Sequence, residues 1–210
     1  MNKCFLPILV VISLFFTCTL SAQRFNAGLL VGMNLSQLDG DQQQGYNKIG
    51  LQIGARGTAV ITKRLEISTG LVYTQKGSSF KEKIIKEVIK LNYMEVPILI
   101  NYKSDYSKEK KFYHWQWYTG VSIGRLISSS VDEKEGDDFD FTATTDFLNT
   151  MDLSHIIGVY YYFDPHIAIG FQNSISLNKA YDSTENPIEG NSVISLRNYL
   201  LNFSLLYMLW

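Results

Sequence analysis

Eight segments of period-two apolar and polar alternation, a positively charged apolar leader, and connections that alternate between short and long predict the fold class. The chain reads as all-β, an eight-stranded antiparallel transmembrane β-barrel of the up-and-down kind. Period-two alternation marks strands whose two faces meet different environments.

The leader comes first in the chain. Lys3 supplies its charge, and the apolar run from Phe5 to Phe16, interrupted by Pro7 and Ser13, is shorter than the roughly 20 residues of a spanning helix. A small-x-small cleavage site falls after Ser21, with Thr19 three residues back, or after Ala22, with Leu20 at that place. Residues 1–22 are therefore expected to be a cleaved signal peptide and 23–210 the barrel domain. Cys18 would suit a lipoprotein, but Thr17 precedes it where a small Gly, Ala or Ser is needed. Both cysteines, Cys4 and Cys18, lie in the leader, so the mature chain holds no thiol for a disulfide, a metal or a nucleophile. Loss of Lys3 leaves 18 basic residues against 20 acidic ones, a formal charge of -2 that gives nucleic acid no basic surface. No second apolar stretch reaches spanning length, which excludes a helical membrane protein.

The strands follow in order. In 25–35, Phe25, Ala27, Leu29, Val31, Met33 and Leu35 share one face, opposite Asn26, Gly28, Gly32 and Asn34, with Leu30 the exception on the polar side. The run 48–61 sets Ile49, Leu51, Ile53, Ala55, Ala59 and Ile61 against Lys48, Gln52, Arg56 and Thr58, and a turn at 62–64 follows. In 65–76, Leu65, Ile67, Leu71 and Tyr73 oppose Glu66, Ser68, Gly70 and Thr74. The fourth strand, 88–102, puts Met94, Val96, Ile98, Ile100 and Tyr102 opposite Glu95 and Asn101, with Pro97 predicting a bulge or local irregularity. The fifth, 112–128, opens on an aromatic block and carries Arg125 on the apolar parity, which suits a bulge or a rim position. The sixth, 152–163, ends in Tyr160, Tyr161, Tyr162 and Phe163 before the Asp164-Pro165 turn. The seventh alternates through Ile167, Ile169, Phe171, Ile175 and Leu177, and the eighth through Tyr199, Leu201, Phe203, Leu205, Tyr207 and Leu209.

Ten residues rising about 3.3 Å each at a tilt of about 40° span roughly 25 Å, the height of an outer-membrane apolar band. Connections at 62–64 and 163–165 are short and 103–111 is moderate, whereas 36–47, 77–87, 129–151 and 179–192 are longer and polar. Short periplasmic turns and long outer loops give that asymmetry. A soluble eight-stranded barrel would turn its apolar face inward, where eight strands enclose too little space for so many large side chains. The apolar face is therefore assigned to lipid. Phe25, Tyr102, Trp115, Trp117, Tyr161, Phe163, Tyr207 and Trp210 fall where a periplasmic aromatic girdle belongs, although strict alternation puts Trp210 on the lumen parity.

Several short sequences carry a resemblance: Ser-Ala-Gln at 21–23, Gly-Leu-Leu-Val-Gly-Met-Asn at 28–34, Leu-Asn-Tyr-Met-Glu-Val-Pro at 91–97, Tyr-Thr-Gly-Val-Ser-Ile-Gly at 118–124, Ile-Ile-Gly at 156–158, and the aromatic C-terminus. Tyr93-x-Glu95-x-Pro97 is the most specific. Together they resemble the PorT-like outer-membrane β-barrel family of Bacteroidetes over almost the whole mature chain. Phe171-Gln172 departs from relatives that often carry a basic residue there. The resemblance implies an outer-membrane, porin-like barrel, and one branch of that family serves a protein secretion system.

Candidate chemistry is sparse. Of the three histidines, His114 and His166 fall at periplasmic strand ends and His155 on the lipid-facing parity, so no nucleophile and base converge and no enzyme is expected. No His or Cys cluster has zinc spacing. The acidic run Asp132, Glu133, Glu135, Asp137, Asp138 and Asp140 lacks EF-hand order and reads as a solvated loop outside the cell. No cofactor or metal is expected. Arg56, Glu66 and Glu95 share the polar parity and read as a lumen-filling ion network, with Arg56 pairing Glu95 or Glu66, because isolated buried charges are costly. Expected partners are outer-membrane lipid, the barrel-assembly machinery during insertion, and a surface or secretion-system protein, with the barrel itself a monomer. The functional expectation is a structural or surface-interaction role through the outer loops; the alternatives are a narrow channel or a secretion-system assembly component.

Overall fold

The computed structural model describes residues 25–40, 45–82, 85–133, 147–184 and 195–209; the leader, most of the acidic run to Asp140, and Trp210 lie outside them. Among the described residues the strands are β1 (Phe25–Asp39), β2 (Lys48–Val60), β3 (Leu65–Glu82), β4 (Ile85–Ser107), β5 (Phe112–Glu133), β6 (Met151–Tyr162), β7 (Ile167–Ser176), β8 (Tyr181–Asp182) and β9 (Ser195–Met208). β8 is a two-residue piece on the outer end of β9. The eight long strands pair antiparallel in the order β1-β2-β3-β4-β5-β6-β7-β9, and β9 returns to β1 from Gly28↔Met208 to Asp39↔Arg197. The chain is a closed eight-stranded antiparallel barrel.

Alternation in sequence becomes alternation in burial. Along β6 every second residue is buried, including Asp152, Ser154, Ile156, Tyr160 and Tyr162, while Met151, Leu153 and Ile157 are exposed. Leu29, Val31, Ile53, Leu71, Ile98, Ile100, Phe171 and Phe203 add to an exposed apolar belt far larger than water would tolerate. The same belt is what hydrocarbon requires of a barrel exterior.

The sequence places a loop at 77–87, and here the structure differs. β3 continues to Glu82 and β4 starts at Ile85, pairing from Ser78↔Ile89 out to Glu82↔Ile85. Likewise β4 runs on to Ser107, which shrinks the connection expected at 103–111 to 108–111, and β5 extends to Glu133. The 23 residues of β4 reach roughly 58 Å along the barrel axis, against an apolar band of about 25 Å. β3, β4 and β5 therefore project beyond the membrane at the long-loop end.

Odd positions of β4 keep to the buried side from Ile89 to Asn101, but the chemistry of the two faces changes where the strands project. Below, Met94, Val96, Ile98 and Ile100 of β4 face outward; above, Ile89, Leu91 and Tyr93 are buried while Lys90 is exposed. These three pack with Leu38, Leu148, Ala180, Tyr181 and Leu196 into a buried apolar cluster at the outer end. The change is accompanied by a register shift between β4 and β5 at Asn92/Tyr93, where Tyr93 faces Leu126 and Asn92 faces Ser128. Arg125, one residue below this bulge and opposite Met94 and Met151, occupies the upper rim of the apolar belt. Pro97 pairs with Ser122 of β5 without disturbance, but the β3–β4 ladder is interrupted between Thr69↔Ile98 and Val72↔Glu95, because proline offers no N–H there.

Candidate functional site

The lumen concentrates the buried polar chemistry, so it is the candidate site. It is filled in layers. Nearest the short turns, Tyr118, Tyr160 and Tyr162 pack with Leu30, Val72, Leu99, Ile156, Ala168, Leu206 and Met208. The rings of Tyr118 and Tyr160 stack with centroids 4.9 Å apart. Gly158 and Gly170 make this possible, since a Cβ at Gly158 would collide with the Tyr118 ring and one at Gly170 with the Tyr160 ring. Tyrosines here fit only because the neighbouring strand carries no side chain beneath them.

Arg56, Glu66 and Glu95 are all buried on the interior face. Their partners differ from the expected pairing. Arg56 Nη2 donates to Asn101 Oδ1 at 2.7 Å and to Gln116 Oε1 at 3.3 Å, and its guanidinium lies 5.2 Å from the Tyr160 ring centre. It forms an ion pair with neither glutamate. Glu66 is instead paired with Lys103 and accepts a 2.7 Å hydrogen bond from Gln116 Nε2. Gln116 thus links the arginine to the carboxylate through one amide, accepting from the first and donating to the second.

Glu95 belongs to a second, separate group. Lys76 Nζ lies 2.6 Å from Glu95 Oε1 and 2.6 Å from Asp152 Oδ2, and all three residues are buried. Thr74 donates to the other Glu95 oxygen at 3.1 Å, and Ser154 and Ser176 donate to Asp152. The ammonium also sits 5.2 Å from the centre of the Tyr93 ring. Sequence reasoning missed Lys76 and Asp152 as members of the network. Both lie on the buried parity of their strands, but Lys76 stood at what the sequence made the end of its strand, and Asp152 at the start of another. Between the two groups lies a cavity of about 30 Å³, bordered by Arg56, Gln52, Glu95 and Gln172, so the layers are contiguous without sharing an ion pair.

The girdle residues gather at the short-turn end. Phe25, Tyr102, Trp115, Trp117, Phe163 and Tyr207 are exposed. Tyr161 is half-buried between Trp115 and Phe163, with ring centroids 4.9 and 5.3 Å away. Trp210 lies outside the described residues. Of the histidines, His114 Nδ1 bonds the Tyr162 carbonyl oxygen and His166 Nδ1 that of Met208, both beside short turns, while His155 sits on the exterior next to Thr119. Among the described residues no three His, Cys, Asp or Glu side chains are grouped to hold a metal ion.

A lumen packed with side chains among the described residues and an apolar exterior are the setting in which the comparisons fall. A family model described as outer membrane protein beta-barrel domain matches residues 20–182. The chain belongs to this family. Comparison with curated protein sequences finds no match. Among solved structures, this outer-membrane barrel is similar to Ail, the attachment invasion locus protein of Yersinia pestis, at 11% identity and a TM-score of 0.48, over 87% of this chain and 97% of that one. It is similar also to Neisserial surface protein A, at 12% identity and a TM-score of 0.48 over 87% and 95% of the two chains. The N-terminal β-barrel domain of Pseudomonas aeruginosa OprF matches at 8% identity and a TM-score of 0.38, over 87% and 98%.

Proposed function

We propose that this outer-membrane barrel is a non-catalytic protein that works at the cell surface through its long-loop end, delivered there by a leader cleaved after Ser21 or Ala22. The observation that carries the reading is the continuation of β3, β4 and β5 past the apolar belt, with an apolar cluster of its own inside it. A barrel that only had to span lipid has no use for 23 residues in one strand. Projecting sheet held by a packed core is a platform, and residues such as Lys90, Asn92, Ser128 and Ser130 present polar side chains from it.

What speaks against conduction is the filling of the lumen. Among the described residues, tyrosines fill one end, two hydrogen-bonded charge groups the middle and the apolar cluster the other, and the cavity beside Arg56 and Glu95 holds about 30 Å³, enough for one or two water molecules. The purified barrel in a planar bilayer is the test: no stable single-channel steps are expected, and reproducible steps would replace the surface reading with a channel.

A role as an assembly component of a secretion system rests on the PorT-like resemblance. Tyr93, Glu95 and Pro97, its most specific residues, are occupied here with Lys76 and with strand pairing, so they serve the barrel wall and lumen whatever the partner. Co-purification of secretion components with the tagged full chain would favour this second reading over the first.

A further inference from the structure

The lipid-facing belt carries one polar notch that lipid cannot satisfy. His155 of β6 is exposed, and its partners across the strands are Val121 and Ile175. Val121 lies four residues from Trp117 in the girdle and four from Arg125 at the upper rim, so His155 sits near mid-height of the belt, about 10 Å from either edge. Thr119 and Asn173 flank Ile157, the next outward residue of the same strand, in the pairs Thr119↔Ile157 and Ile157↔Asn173. Thr119, His155 and Asn173 thus surround one isoleucine that is itself 55% exposed.

The hydrogen bonds fix what each group still requires. Thr119 Oγ1 donates its single proton to the Ile156 carbonyl oxygen at 3.0 Å. The 3.2 Å contact between that oxygen and His155 Nε2 must then have the imidazole as donor. In the neutral imidazole that donates through Nε2, Nδ1 is a bare acceptor on an exposed ring in hydrocarbon, where ionisable residues face lipid rarely and at a cost. Asn173, on the opposite flank of Ile157, carries two amide donors.

We infer that this face of β5, β6 and β7 is the interface with a second copy of the chain, in place of the monomer expected from the sequence. Two copies in one membrane share their up and down directions, so a two-fold axis between them runs along the membrane normal. With that axis near Ile157, the acceptor flank of one copy meets the donor flank of the other, and His155 Nδ1 receives a hydrogen bond from the partner's Asn173. The patch is self-complementary in the way an isologous contact needs, which a lipid chain with no donor is not. Toward the periplasm the same wall holds an open apolar groove of about 880 Å³ between Trp115, Tyr161, Phe163, Phe171 and Phe203, which side chains of the second barrel fill.

The mature chain has no cysteine, so single cysteines report contacts without background. Ile157→Cys and, on the far wall, Ile53→Cys are expressed in full-length protein in outer membranes and oxidised, with folding checked by heat-modifiable mobility. A disulfide-linked species of twice the monomer mass is expected at Ile157→Cys and not at Ile53→Cys. Adding His155→Leu is expected to lower its yield at least fivefold, because it removes the acceptor while making the wall more apolar. A linked species with a different protein, equal linkage at both positions, no linkage at all, or a yield unaffected by His155→Leu would each overturn the inference.

Discussion

Replacing Lys76 with methionine isolates the central lumen group. The side chain keeps most of its length and loses its charge, leaving Glu95 and Asp152 buried without their common cation. Two oxygens that each lie 2.6 Å from the same nitrogen are no farther apart than about 5 Å. At that separation two like charges repel by about 3 kcal/mol at an effective dielectric of 20. Stranding buried charges in this way costs about 3 to 5 kcal/mol. Adding Glu95→Gln removes one of the two carboxylates, while Asp152 keeps its hydrogen bonds from Ser154 and Ser176, so the double variant should recover at least about 2 kcal/mol of the loss. The assay is urea unfolding in lipid vesicles, with the folded fraction read from mobility of unboiled samples. The coupling of Lys76 with Glu95 should exceed that of Arg56 with Glu95, which make no ion pair. A Lys76→Met barrel as stable as the parent, or a double variant less stable than the single one, would refute the electrostatic account.

Three further outcomes follow from other parts of the wall. Gly158→Val should displace the Tyr118 ring and destabilise the barrel by about 1 to 3 kcal/mol, as overpacking does, and pairing it with Tyr118→Ala should relieve much of that in the same unfolding assay. At the outer end, hydrogen bonds from Lys179 and Thr184 hold the Asp182 carboxyl down at about 2, so its charged contact should be complete at pH 5 and lost as pH falls toward 2; an NMR titration of that carboxyl with a midpoint near the ordinary Asp value would contradict it. Cysteine placed at Ser130 should react with an impermeant maleimide on intact cells and cysteine at Thr62 after permeabilisation alone, and the reverse order would invert the barrel.

The wall of the barrel was legible in the sequence because lipid imposes one rule on every outward residue between the two interfaces. Ile49 to Ile53 or Ile167 to Phe171 could hardly be anything else. Legibility ended where the rule changes. Above Met94 the apolar parity of β4 passes from even to odd positions, so Ile89, Leu91 and Tyr93 belong to a water-facing structure with an ordinary inside core. Without that parity switch in mind, the Lys-rich segment after Gly77 reads as a loop. The lumen was half legible for a different reason. Parity says that Arg56 and Glu95 both point inward, but not at what height or angle around a tilted, staggered wall. Lys76 reaches Glu95 first, and Arg56 turns its Nη2 to the amides of Asn101 and Gln116, partners that no charge pattern reveals.

The seam between β1 and β9 joins the first and the last of the described strands. A ring of this sort has no partial version. A polypeptide cut short before Ser195 would retain seven long strands yet leave β1 and β7 each with an unpaired margin, both facing hydrocarbon. Synthesis therefore yields no usable wall until the residues of β9 exist. A stop codon at the last strand would be as severe for this protein as one at the first.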